Sequence, residues 1–139
     1  MAVAGSVVKT IRRSADGYEV QLDWTADSSG VVAEGGTTGK GIFTANGYFV
    51  GVEWSATTAA DNYDVTLLDG TIDVLRGLGA NQQQSGDNTY DTKYRSDAVR
   101  DVDGAYQFFF NKNLVLTISG GGNLGTGTIK FKFSNALAG

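Results

Sequence analysis

Three small constellations in this chain have residue types suited to chemistry, and each lacks a part that its chemistry requires. Asp97, Asp101 and Asp103 precede Gly104, and oxygen ligands at such spacings converge on a hard cation. A calcium loop also needs a third oxygen ligand before its glycine and a distal glutamate, and both are missing. The aspartates therefore read as turn residues that accept bonds from nearby backbone N–H groups. Gly120-Gly121-Gly122-Asn123-Leu124-Gly125 spells the dinucleotide fingerprint, which needs a strand before it and a helix after it. A strand pattern follows instead, so the run reads as the loop of a glycine-rich hairpin. Gly35-Gly36-Thr37-Thr38-Gly39-Lys40-Gly41 resembles a phosphate loop, but Glu34 and Gly41 stand where glycine and Ser/Thr belong.

The remaining repertoire is narrow. Among 139 residues there is no histidine and no cysteine, so the commonest general acid/base and the usual zinc ligands are absent. The carboxylates are scattered and single out no pair of the kind glycoside hydrolysis uses. The expectation is a non-enzyme with no cofactor and no metal. Eleven Lys and Arg against fifteen Asp and Glu give a net charge of −4, and Arg12-Arg13 is offset by Asp16 and Glu19. Nucleic-acid binding, which needs clustered cations, is not expected. Nor is membrane insertion, since no run approaches ~20 apolar residues. Met1–Val8 has no basic stretch before its apolar residues, which reads as a soluble protein made in the cytoplasm. The missing cysteines leave the redox compartment open.

The elements that carry these residues are strands. Tyr18, Val20, Leu22 and Trp24 alternate with Glu19, Gln21, Asp23 and Thr25, and Ile129, Phe131 and Phe133 alternate with Lys130 and Lys132. Leu114, Leu116 and Ile118 form a third alternating set. Further strands are expected at Val3–Arg12, Val31–Glu34, Tyr48–Ser55, Tyr63–Leu68 and Tyr106–Phe110. Asn46-Gly47 predicts a primed hairpin turn between Ile42-Phe43 and Tyr48–Trp54, and Ile72–Arg76 is the one candidate helical turn. Twenty glycines punctuate these runs. The pattern predicts one all-β domain, an antiparallel sandwich or a barrel-like variant of it. On parity, Trp24 and Trp54 read as core, which weighs against an exposed sugar platform.

Two segments stand apart. Residues 79–96 are long and polar, and such loops are either plain surface excursions or arms that order against a neighbour. In the second reading Tyr90, Tyr94 and Arg95 are the contact residues. Phe108-Phe109-Phe110 puts an aromatic on both faces of its strand. Either another part of the chain covers the second face, or a subunit contact does, with Phe109 as the contact residue. Residues 1–8, with Val3 and Val7, form a candidate N-terminal arm able to add as a strand.

Asp61-Asn62-Tyr63-Asp64-Val65-Thr66-Leu67-Leu68-Asp69-Gly70, continuing through Ile72-Asp73-Val74-Leu75 to Gly77-Leu78-Gly79-Ala80-Asn81, resembles a segment of small virion proteins of tailed bacteriophages. Leu114–Ser119 and Thr126–Phe133, flanking the glycine run, extend the likeness over roughly the C-terminal half. The resemblance is greatest to capsid cement (decoration) proteins, with small tail components as the alternative. It implies a β-sandwich on the capsid surface of the virion, commonly a homotrimer, with the major capsid protein as partner. The 79–96 loop departs from that pattern, and no catalytic or ligand residue carries over. A carbohydrate-binding module is the reading from a different class.

Overall fold

Strict alternation becomes strand wherever one face can be buried. A computed structural model describes residues 5–33, 36, 40–56, 58, 63–75, 87–91 and 108–135, without the side chains of 54, 56 and 87–91. Eight strands run in chain order: β1 (Ser6–Arg13), β2 (Gly17–Thr25), β3 (Ile42–Ala56), β4 (Asp64–Asp69), β5 (Ile72–Asp73), β6 (Asp87–Asp91), β7 (Phe108–Ser119) and β8 (Thr126–Ser134). The fold is all-β and antiparallel. Seven strands lie in the order β1-β2-β8-β3-β7-β4-β5, and β6 pairs separately with β3.

β3 organises the sheet because it is long enough to serve several partners. One edge pairs with β8 over Tyr48–Ala56, while the other pairs with β7 over Ile42–Tyr48 and then with β6 over Gly51–Ser55. Beyond β8, the two alternating patterns lock together without interruption, Gly17 opposite Ser134 through Thr25 opposite Thr126. Their inward residues are fully buried: Val20, Leu22 and Trp24 on β2, and Ile129 and Phe131 on β8, with Phe133 nearly so. β7 and β4 add Leu114, Leu116, Ile118, Val65 and Leu67 to the same cluster. Phe43 stacks on Phe131 at 5.8 Å between ring centroids, and Phe49 stacks on Phe133 at 5.3 Å. Trp24 fits because its strand partner is Gly127, where a Cβ would come within 2.6 Å of the indole.

Several expectations are corrected. Asn46-Gly47 is no hairpin turn: β3 runs straight through it, because β7 and β8 supply partners on either side. The glycine run 120–125 closes no hairpin either. β7 and β8 flank β3 rather than pairing with each other, so the run carries the chain across β3. Ile72-Asp73 is a two-residue strand returning on Leu68-Asp69 through Gly70, not a helical turn. Of the expected strand Val31–Glu34, the described residues 31–33 contribute a single bridge, Val32 to Ile118, and Glu34 lies outside the described residues. Residues 79–96 include β6, so that stretch is not wholly loop, and residues 6–8 open β1 rather than forming an arm.

Candidate interaction surface

Register shifts twice along β3, once against β8 between Phe49 and Gly51 and once where β3 meets β7. Ala45 pairs with Lys112 and Gly47 with Phe109, so Asn46 alone faces both Phe110 and Asn111. That extra residue is a β-bulge, and two asparagines and a tyrosine hold it. Asn111 takes a φ of 50°, which asparagine tolerates better than most residues, and its N–H donates to Asn46 Oδ1 at 2.9 Å. Gly47 has a φ of 93°, and a Cβ there would lie 2.6 Å from the Ser134 carbonyl oxygen, so only glycine fits without displacement. From β2, the Tyr18 hydroxyl accepts the Asn46 N–H at 2.6 Å and donates to the Asn46 carbonyl at 2.9 Å. One side-chain oxygen thus does what a neighbouring strand's backbone does elsewhere.

Burial raises the Tyr18 pKa above its ordinary value, against the opposing pull of the Asn46 backbone hydrogen bond and the nearby Arg13 charge. The Tyr18 ring stacks on Phe133 at 5.0 Å, and the Arg13 guanidinium lies 5.8 Å from its centroid.

The bulge decides which phenylalanines face water. Phe109 and Leu114 are both buried although their positions differ by an odd number, which strict alternation forbids and one inserted residue permits. Phe109 is 5 % exposed and meets Phe133 edge-on at 6.4 Å. Phe108 and Phe110 point outward, 57 % and 75 % exposed, with the Phe108 ring against Tyr48 at 4.9 Å. The expected contact at Phe109 is therefore corrected: that ring is core, and the outward aromatics are its neighbours. The triplet revealed that both faces carry rings, but only the register across Gly47 says which face is inward.

The other candidates scatter. Val7 is buried opposite Trp24 on β1, so it is a core residue rather than part of a docking arm. Tyr90 lies on β6 opposite Val52. Its side chain lies outside the described residues, as do Val3, Tyr94, Arg95 and the Trp54 side chain. Asp97, Asp101 and Asp103 also fall outside, and among the described residues no group of three or more acidic, His or Cys side chains is placed to hold a metal.

Elsewhere on the outer face, charge is locally compensated. Glu53 sits between Lys130 at 3.8 Å and Lys132 at 3.4 Å, Arg12 meets Glu19 at 3.3 Å, and Asp23 accepts from the Thr128 hydroxyl at 2.7 Å. Phe108 and Phe110 have no such partners in water, and a paired aromatic surface of that kind suits contact with another apolar surface. No protein-family model matches the chain, and neither the curated proteins nor the solved structures give a significant match to it.

Proposed function

We propose that this protein is a non-enzymatic structural part of a tailed-bacteriophage virion, a cement protein that binds the outer capsid surface and bridges major capsid protein subunits. The observation that carries this reading is the outward pair Phe108 and Phe110, held on a bulged strand with Phe108 against Tyr48. Two large exposed rings cost solubility in a free protein and contribute when an assembly buries them. Burial across subunit junctions stabilises a shell by mass action on the assembled state. The finer architecture, a sandwich with barrel-like closure, belongs to the same reading. Support for it comes from the change of neighbours along β3 and from Gly5, which lies against the Val31–Val32 backbone that bridges to β7.

The test is light scattering of the purified protein, followed by sedimentation with undecorated shells. A trimer that pellets with shells is expected, and the Phe108→Ser/Phe110→Ser double variant should stay in the supernatant while its thermal midpoint changes little. Both sites are on the surface, where substitutions typically shift stability by within about 0.5 kcal/mol each. A monomer, or a ring that ignores shells, overturns the cement reading in favour of a tail component. Burial of Trp24 at 1 % exposure weighs against a glycan platform built on that ring.

A further inference from the structure

The outer edge of β1 over residues 9–13 and the first half of β3 face each other across a cleft of about 420 Å³, lined by Phe43, Lys9, Ile11, Arg13 and Thr44 with Tyr18, Asn46 and Asn135. Antiparallel bonding fixes which backbone groups look into it. Ser14 N–H donates to the Gly17 carbonyl, so Arg12 and Thr10 continue the bonded pairs with β2, and Lys9, Ile11 and Arg13 turn theirs outward. Leu116 N–H donates to the Gly41 carbonyl, so Phe43 and Ala45 turn toward β7, and Ile42, Thr44 and Asn46 turn toward the cleft.

β8 pairs with β3 only from Tyr48 onward, which leaves this stretch without a backbone neighbour on that edge among the described residues. Side chains replace one at two points. The Tyr18 hydroxyl holds both backbone groups of Asn46, and Lys9 Nζ donates to the Ile42 carbonyl at 3.1 Å. Between them, the Thr44 N–H and carbonyl have no partner among the described residues. A fully extended lysine stem plus that hydrogen bond reaches at most roughly two inter-strand spacings of ~4.8 Å, which is the width one inserted strand would need.

Charge identifies the occupant. The chain carries −4 overall, yet Lys9 and Arg13 rim this cleft and its described lining contains no carboxylate. We propose that the cleft accepts an extended acidic segment of another protein as an added β-strand. The strand bonds to the Thr44 and Ile11 backbones, and its carboxylates draw Lys9 from the Ile42 carbonyl into a stronger charge-assisted bond. Its apolar residues alternate inward over Phe43 and Ile11. This inference does not depend on the capsid reading, since neither Phe108 nor Phe110 lines the cleft and its test needs no shells.

The probe is a displayed random library of peptides roughly ten residues long, selected on the full chain and counter-selected on a Lys9→Glu/Arg13→Glu variant. Selected peptides should alternate Asp or Glu with β-branched residues, and should bind the charge-reversed variant about tenfold or more weakly. On binding to the wild type they should slow amide exchange at Thr44 and Ile11. Unchanged exchange at Leu22 and Ile129 in the variant shows that it remains folded. The proposal is overturned if no peptide is enriched, or if enriched peptides bind both proteins equally. Equal competition by free glutarate, or protection confined to Phe108–Phe110, overturns it as well.

Discussion

β3 borders two regions built on different rules. Beyond β8, the β2–β8 ladder pairs nine consecutive residues with no shift in register, and Val20, Leu22, Trp24, Ile129, Phe131 and Phe133 on its inward face are buried. Toward β7, the ladder breaks at Asn46, admits an extra residue, and turns two phenylalanines outward. The first region contributes stability through apolar area, where each inward side chain counts. The second gives up regularity and in return presents rings and open backbone edges. The unbroken ladder thus lies beyond β8, while both ladders of β3 itself carry a shift, at Ala45/Gly47 toward β7 and at Phe49/Gly51 toward β8.

Three substitutions sharpen the contrast. Phe131→Ala, in the regular half, removes a ring packed against both Phe43 and Phe49. It should cost about 3–5 kcal/mol, read as a large drop in the urea midpoint. A loss below about 1 kcal/mol would mean that the regular ladder is not where stability resides. Gly47→Ala, in the irregular half, forces a side chain into a left-handed φ and against the Ser134 carbonyl. The expected cost is about 2–3 kcal/mol, intermediate because the fault is local and Ser134 lies near the end of β8. Far-UV circular dichroism should retain its β signal.

Tyr18→Phe removes only the hydroxyl that clamps Asn46, an expected loss of about 1–2 kcal/mol at neutral pH. It also carries a pH signature. Burial raises the folded pKa of Tyr18, so the folded state holds its proton more tightly than the unfolded chain does. The corresponding stability is intact below the ordinary tyrosine range near 10 and falls as pH rises through the raised value. Wild-type protein should therefore lose stability on the alkaline side more steeply than Tyr18→Phe. Parallel alkaline limbs from paired urea titrations would contradict the clamp.

The regular half was legible in the sequence because its information is periodic. Tyr18 through Thr25 and Ile129 through Phe133 alternate, and both became the strands that alternation predicts. The irregular half was misread because its information is relational. Asn46-Gly47 has the composition of a hairpin turn, and only the partners on both sides of β3 carry the strand through it, opposite a bulge on β7. The glycine run 120–125 looks like a hairpin for the same reason: local composition marks a change of direction but cannot say which strand the chain meets next. Phe108-Phe109-Phe110 announced a two-faced strand, yet the inward ring depends on the residue inserted at Asn111. Val7 carried an arm's composition but sits opposite Trp24, a contact that no spacing within residues 1–8 encodes. The β1–β3 cleft had no sequence signal, since it arises from where β8 stops.

The order of strands also sets a timetable for synthesis. β2, β3 and β4 each find a ladder partner within residues 108–134, while the earlier pairings among the described residues are β1 with β2, β3 with β6 and β4 with β5. A nascent chain therefore leaves the ribosome with its longest strand, β3, lacking its β7 and β8 partners until the final two strands emerge. Sheets closed by such distant pairings form slowly and expose sticky edges in the interval. The lysines at 130 and 132 and the glutamate at 53, which meet only on completion, keep those late-joining strands charged on one face while they wait.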